Sequence, residues 1–210
     1  LRQEAGLDAR RTLMEELWTA FPEAHGVDKR LQEVAALMER GQGDLDALIE
    51  EQGELFHRFD ALDGYRITAR IGRVIRGLGF SPEDEAKRCG EFSGGWQMRI
   101  ALAKVLVRRP ENALLDEPTN HLDAASQEWL AAELSEYRGT VLVVTHDGEF
   151  LDRFATRILD LRDGVVDSYA GSYGEYQRQK AERLQQQDQA AGRQERELAR
   201  QQRFIDRFRA

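Results

Sequence analysis

The sequence predicts an α/β fold with three parts: a helical subdomain, a short alternation of helix and strand around a parallel sheet, and a long C-terminal helix. Three observations predict it. Apolar residues recur at three- and four-residue steps through the first ninety positions, and two short apolar runs, at 113–116 and 140–145, flank a helical pattern. Beyond Gly174 the chain holds nine glutamines, one glycine and no proline, the composition of an uninterrupted helix.

In the helical part, Leu13, Met14, Leu17 and Phe21 form one apolar stripe and Leu31, Val34, Ala35 and Met38 a second. Leu45, Leu48, Ile49, Gln52, Leu55, Phe56 and Phe59 form a third. A fourth helix, about 67–78, buries Ile71, Val74, Ile75 and Leu78 and stops at Gly77-Leu78-Gly79. Ser81 followed by Pro82 reads as an N-cap with proline at the first helical position. From Trp96 to Arg109 a helix is expected, then a buried strand at 113–116, a helix at 126–137 with Trp129, Leu130 and Leu134 inward, and a second buried strand at 140–145. That succession is a βαβ unit and requires parallel strands. Arg157–Leu161 and Gly164–Tyr169 read as two strands joined at Arg162-Asp163-Gly164. In the last segment, Leu184, Ala191, Leu198 and Ile205 repeat every seven residues, with Phe204 and Phe208 strengthening the end of the seam, as in one half of an antiparallel helical hairpin.

Composition narrows the function classes. The longest apolar run, Thr140–Val144, is far below the roughly 20 residues that span a bilayer, so no membrane helix is expected. Leu1-Arg2-Gln3-Glu4 shows no signal-peptide pattern, and a single cysteine, Cys89, rules out an internal disulfide framework. A cytoplasmic location is the expectation. The net charge of −8 argues against the whole body binding a polyanion, yet the residues after Gly174 carry a local balance of +3, leaving −11 upstream. Any polyanion contact belongs to the tail.

Two apolar residues followed by Asp116-Glu117, on a strand leaving the core, suit a Mg-ATP site. Asp116 can hold the Mg2+ ion, and Glu117 can orient or deprotonate an attacking water. Ser93-Gly94-Gly95 before a helix is an anion site: glycine frees backbone N–H groups at the positive helix end. His146, twenty-nine residues after Glu117, leaves the second strand at the same carboxyl edge, within reach of a γ-phosphate. Each motif has a plain alternative: a surface acidic turn, a glycine loop and a satisfied polar histidine.

Phe92-Ser93-Gly94-Gly95-Trp96, then Asp116-Glu117-Pro118-Thr119-Asn120-His121-Leu122-Asp123, then Thr145-His146-Asp147, resemble in this order the signature loop, the Walker B motif with its D-loop, and the switch histidine of an ATP-binding cassette ATPase, a P-loop NTPase fold. In detail they resemble the ABC-F subfamily, soluble tandem-cassette proteins that act on ribosomes. Arg203–Ala210 is similar to that subfamily's inter-cassette linker, which implies a first cassette. The resemblance implies ATP and Mg2+ as cofactors, Glu117 and His146 as catalytic residues, and Asp116 as the metal ligand. Ser93, Gly94, Gly95, Trp96 and Asp123 would contact nucleotide at the interface with a second cassette, and Gln3 would belong to a Q-loop reaching magnesium and water. The implied division is a nucleotide-binding domain over 1–172 (helical subdomain about 7–91, signature to switch histidine 92–172) and the start of a linker over 173–210.

No Gly-x-x-x-x-Gly-Lys-Ser/Thr occurs, so the phosphate-cradling P-loop is missing, and these residues alone are expected not to hydrolyse ATP appreciably. The sheet is expected to expose an edge. Asn112 stands where the family pattern has an apolar strand residue, Phe92 replaces leucine, and Gly148 stands where arginine is frequent. In the tail, Arg193, Arg196, Arg200, Arg203 and Arg207 fall on one helix face, which suits phosphates of ribosomal or transfer RNA; interleaved Glu195, Glu197 and Asp206 suit a solvated, ion-paired face equally. Two other readings share these motifs: the ATPase subunit of a membrane transporter, and a docking module without its own P-loop.

Overall fold

The computed structural model of the chain describes residues 6–209; within the last helix it omits the side chains at 188, 191, 197 and 199–209. Gln3 therefore lies outside the described residues. The chain forms two compact units, one ending at His146 and the other beginning at Asp147.

The first unit opens with four helices: α1 (Leu13–Trp18), α2 (Pro22–Glu39), α3 (Leu45–Ala61) and α4 (Gly64–Gly77). Local chemistry sets their ends. Thr12 and Glu15 close a capping box on α1, worth about 1 kcal/mol, Pro22 starts α2, and Asp44 caps α3. At the end of α4, Gly79 takes the left-handed conformation (φ +84°) that the Gly77-Leu78-Gly79 sequence suggests. α2 and α3 form an antiparallel pair tied by Arg30 and Glu51 at 2.6 Å.

Two 3-10 turns follow, Pro82–Ala86 and Cys89–Glu91, the first capped by Ser81. Next come α5 (Gly94–Arg108), β1 (Asn112–Asp116), α6 (Ala124–Ser135) and β2 (Thr140–Val144). β1 and β2 are parallel, with Leu114 opposite Leu142 and Asp116 opposite Val144. Leu13, Leu17, Val34, Ile71, Val74, Ile75, Ile100, Leu106 and Leu130, with Leu78 just past α4, make the core, drawn mainly from α1, α4, α5 and α6. Buried carboxylates tie it: Glu16 binds Lys104 at 2.5 Å and Arg11 at 3.3 Å, and Glu133 binds Arg73 at 2.9 Å as well as Arg109. Each of these buried carboxylates is shared by two cations that keep part of their side chains in solvent, so it stays compensated when one of the two is lost.

The structure corrects four expectations. The strands are not buried on both faces: Ala113 and Leu115 point inward, whereas Leu114, Leu142 and Val144 are exposed. Among the described residues, nothing covers that outer face, and a β-branched run reads the same whether one face is covered or two. Asn112 joins β1 one residue ahead of the expected strand at 113–116 and is exposed. α5 starts at Gly94 rather than Trp96, because the helix absorbs the glycines into its first turn. On α3, Leu48 and Phe59 are buried, but Leu45, Ile49 and Phe56 stay exposed, since α2 covers one side of that wide stripe.

The second unit holds α7 (Gly148–Asp152), the antiparallel hairpin β3 (Arg157–Arg162) and β4 (Val165–Ala170), and α8 (Tyr173–Arg209). Asp163 and Gly164, at φ +50° and +80°, form a two-residue turn within the expected Arg162-Asp163-Gly164. Gly148 is seated against Tyr173, where a Cβ would approach the ring to 2.3 Å. The ring occupies the space that a side chain at that position would take. α8 is rooted on the hairpin: Lys180 binds Asp160 at 2.9 Å, Arg183 binds Asp167 at 2.9 Å, and the Tyr169 and Tyr176 rings meet edge to face at 5.0 Å. No helix among the described residues is long and apolar enough to cross a membrane.

Candidate functional site

The parallel register ends β1 and β2 side by side, so Glu117, Thr145 and His146 leave the sheet together. Glu117 extends the pairing by one bond, its N–H donating to the Val144 carbonyl at 2.8 Å, and then turns left-handed at φ +46°. A non-glycine residue held there costs of order 1–3 kcal/mol, which the surrounding bonds must offset. The turn aims the carboxylate across the sheet edge. Thr145 Oγ1 donates to Glu117 Oε2 at 3.3 Å, and His146 Nδ1 lies 3.1 Å from Glu117 Oε1. Glu117 keeps 30% of its side chain exposed and His146 keeps 82%. The arrangement can accept a proton at a solvent-reachable carboxylate and present an imidazole beside it.

Asp116 is exposed and makes no ion pair among the described residues, leaving its oxygens open to a cation. No group of three His, Cys, Asp or Glu that could hold a metal occurs among the described residues. A hard oxygen donor with few protein partners fits Mg2+, which takes one or two carboxylates and draws its other ligands from water and phosphate. A cavity of about 280 Å³ lies between α5 and β1; Met98, Leu102 and Leu114 give it apolar walls, and Asp116, Glu117 and Asn120 a polar side.

Residues 118–123 carry the chain from Glu117 to α6. Asn120 N–H donates to the Glu117 carbonyl at 3.1 Å, Thr119 is buried, and His121 is left-handed at φ +67°. Asp123 caps α6 by accepting from the Ser126 N–H at 2.9 Å. That bond, the Ser126 hydroxyl and the nearby Arg99 hold its carboxyl below the usual range.

At the signature-type loop, Ser93 is the N-cap residue of α5 but makes no side-chain cap bond, and Gly94 has open space around it. The first backbone bond of α5 joins Gln97 N–H to the Ser93 carbonyl, so the N–H groups of Gly94, Gly95 and Trp96 face outward at the positive end of a fifteen-residue helix. Gly95 lies against His121, where a Cβ would meet the ring at 3.1 Å. Trp96 is half-buried among Phe80, Phe92 and Arg99, so the phenylalanine that replaces leucine joins an aromatic cluster.

The predicted residues thus form two groups: Asp116, Glu117 and His146 at the sheet edge, and Ser93 to Trp96 with Asp123 at the start of α5 and α6. Sequence reasoning missed three polar residues that hold them. Thr145 fixes Glu117, Gln97 Nε2 donates to the Phe92 carbonyl at 3.0 Å, and Arg99 joins the signature-type helix to 121–123. Apart from Glu117, Asp123 and the Trp96 ring, their partners are backbone atoms, which leave no mark in a sequence.

Comparison with known proteins decides the family. The ABC transporter family matches residues 2–120, and a second ABC transporter family description matches 159–210. This chain belongs to the ABC transporter family. Relatives include F family members: ABC transporter F family member 5 of Arabidopsis thaliana is 36% identical over 201 residues, covering 94% of this chain and 29% of that protein. The Energy-dependent translational throttle protein EttA of Escherichia coli O6:H1 is 40% identical, covering 89% of this chain and 33% of its own length. Among solved structures, an ATP-binding subunit of an ABC transporter superposes with a TM-score of 0.52 at 17% identity, covering 78% of this chain and 55% of that one; this likeness concerns the fold alone. The chain spans about a third or less of the curated relatives it matches. The ABC cassette fold expected from the motifs is therefore the fold of this chain.

Proposed function

We propose that this chain supplies part of an ATP-hydrolysing site in a longer two-cassette ABC-F protein. The observation that carries the reading is the Glu117–Thr145–His146 group, a carboxylate and an imidazole 3.1 Å apart at a shared strand edge beside an open Asp116. Glu117 takes the proton of the water that attacks the γ-phosphoryl group, His146 contacts that group, and Asp116 holds Mg2+. When bound, Mg2+ neutralises charge on the phosphates. Ser93 to Gly95 present outward N–H groups to the nucleotide of the other cassette, with Trp96 and Asp123 beside that contact.

The phosphate-cradling lysine is absent from these 210 residues, so the chain alone does not turn over ATP appreciably; robust Mg-dependent hydrolysis by the purified chain would overturn this. The division into helical subdomain, signature-to-switch part and linker helix, the Gln3 contact and a cytoplasmic location belong to the same proposal. So does a ribosomal partner, supported by the name of the EttA relative and by the arginine stripe from Arg193 to Arg207; the side chains of Arg200, Arg203 and Arg207 lie outside the described residues. The deciding experiment is Glu117→Gln in the intact parent. ATP binding should persist while hydrolysis falls by two orders of magnitude or more, and wild-type turnover would sink the assignment.

A further inference from the structure

Arg99 touches both Trp96 and residues 121–123, and its burial sets it apart from the exposed Arg66, Arg73 and Arg76 of α4. Only 11% of the side chain is exposed. The guanidinium lies over the Trp96 ring, 4.3 Å from its centre. Nε donates to the His121 carbonyl at 2.8 Å, Nη2 donates to the same oxygen, and Nη1 donates to the Leu78 carbonyl at 3.0 Å. Asp123 Oδ2 lies 3.6 Å from Nη1. One planar fork therefore grips α5, the end of α4, the left-handed His121 and the cap of α6.

We propose that Arg99 is a positioning residue that locks 118–123 to the signature-type helix, so that the segment following Glu117 and the loop Ser93-Gly94-Gly95 move as one body. The inference rests on the assignment of those two segments to opposite nucleotides, and it goes beyond that assignment by naming the link between them. The geometry requires arginine. A lysine ammonium is a point charge that cannot hold two carbonyls and a ring face at once, whereas the guanidinium presents donors in a fixed fork and a flat surface for the indole. The bond from Asn120 N–H to the Glu117 carbonyl carries the restraint back to the sheet edge. With the fork lost, His121 no longer has a partner holding its carbonyl, and 118–123 relaxes from its left-handed turn.

The test uses Arg99→Lys and Arg99→Ala in the intact parent, with two readouts. Amide exchange in the nucleotide-free protein should quicken about tenfold or more across 119–122 in both variants, while α5 and α6 keep their protection. In steady-state hydrolysis, kcat should fall about 10- to 100-fold in Arg99→Lys with KM for ATP nearly unchanged, and methylguanidinium should restore part of the kcat of Arg99→Ala. Unchanged exchange at 119–122 overturns the inference, as does wild-type kcat in Arg99→Lys. Loss of protection throughout the fold without rescue also overturns it, by making the residue merely structural. A wild-type parent that does not hydrolyse ATP sinks the proposed function instead, and the exchange readout still judges Arg99.

Discussion

At the residue scale, the backbone at Glu117 matters as much as its carboxylate, because a left-handed turn immediately after the strand swings the side chain toward Thr145 and His146. A glycine would adopt that turn without strain but would bring no base. Cys89 illustrates the opposite, a reactive group made inert. Burial pushes its thiol from 9.0 up to about 11, which leaves about a hundredfold less thiolate at neutral pH. Alkylation by iodoacetamide at pH 8 should accordingly be slow in the native chain and fast in denaturant; equal rates would show an open site. The acidic pair and the switch-type histidine were legible in the sequence because their side chains do the chemistry and their spacing follows the strands. Arg99 was not, since two of its four partners are carbonyl oxygens that any residue could supply.

At the scale of elements, close helix contacts depend on missing side chains. Gly77 ends α4 against Trp129 of α6, where an added Cβ would sit 2.0 Å from the indole. Gly77→Ala should destabilise the first unit by about 1–2 kcal/mol, since overpacking outweighs alanine's helix preference. The penalty should shrink in a Trp129→Leu background, as measured by denaturant unfolding, and an unchanged penalty would place the strain elsewhere. Asp123 governs the start of α6 in a pH-dependent way. Its folded carboxyl titrates below the ordinary 3.8, so its contribution is complete above about pH 4 and is lost as the pH falls through the lower folded value. The difference in melting temperature between wild type and Asp123→Ala should therefore be present at pH 7 and vanish in acid. Helix positions were readable from periodicity, but exposure was not. The runs Leu114-Leu115 and Val141–Val144 are apolar throughout, and coverage of one face depends on which elements pack there.

For the whole molecule, charge is divided along the chain: −11 before the last segment and +3 within it. Replacing Arg193, Arg196, Arg200, Arg203 and Arg207 with glutamine in the parent should weaken co-sedimentation with ribosomes, most visibly at low salt, while leaving ATP hydrolysis unchanged. Unaltered co-sedimentation would free the stripe of that role. α8 adds a mechanical consequence. Its 37 residues make a rod of about 55 Å, and its described side-chain bonds to the hairpin end at Arg183, leaving a cantilever of about 39 Å. A tilt of about 10° at the clamp formed by Asp160, Asp167, Lys180 and Arg183 sweeps the far end through about 7 Å, more than one helical turn. A pivot at these two ion pairs would therefore turn an adjustment of side-chain size at the root into a sweep several times larger at the far end.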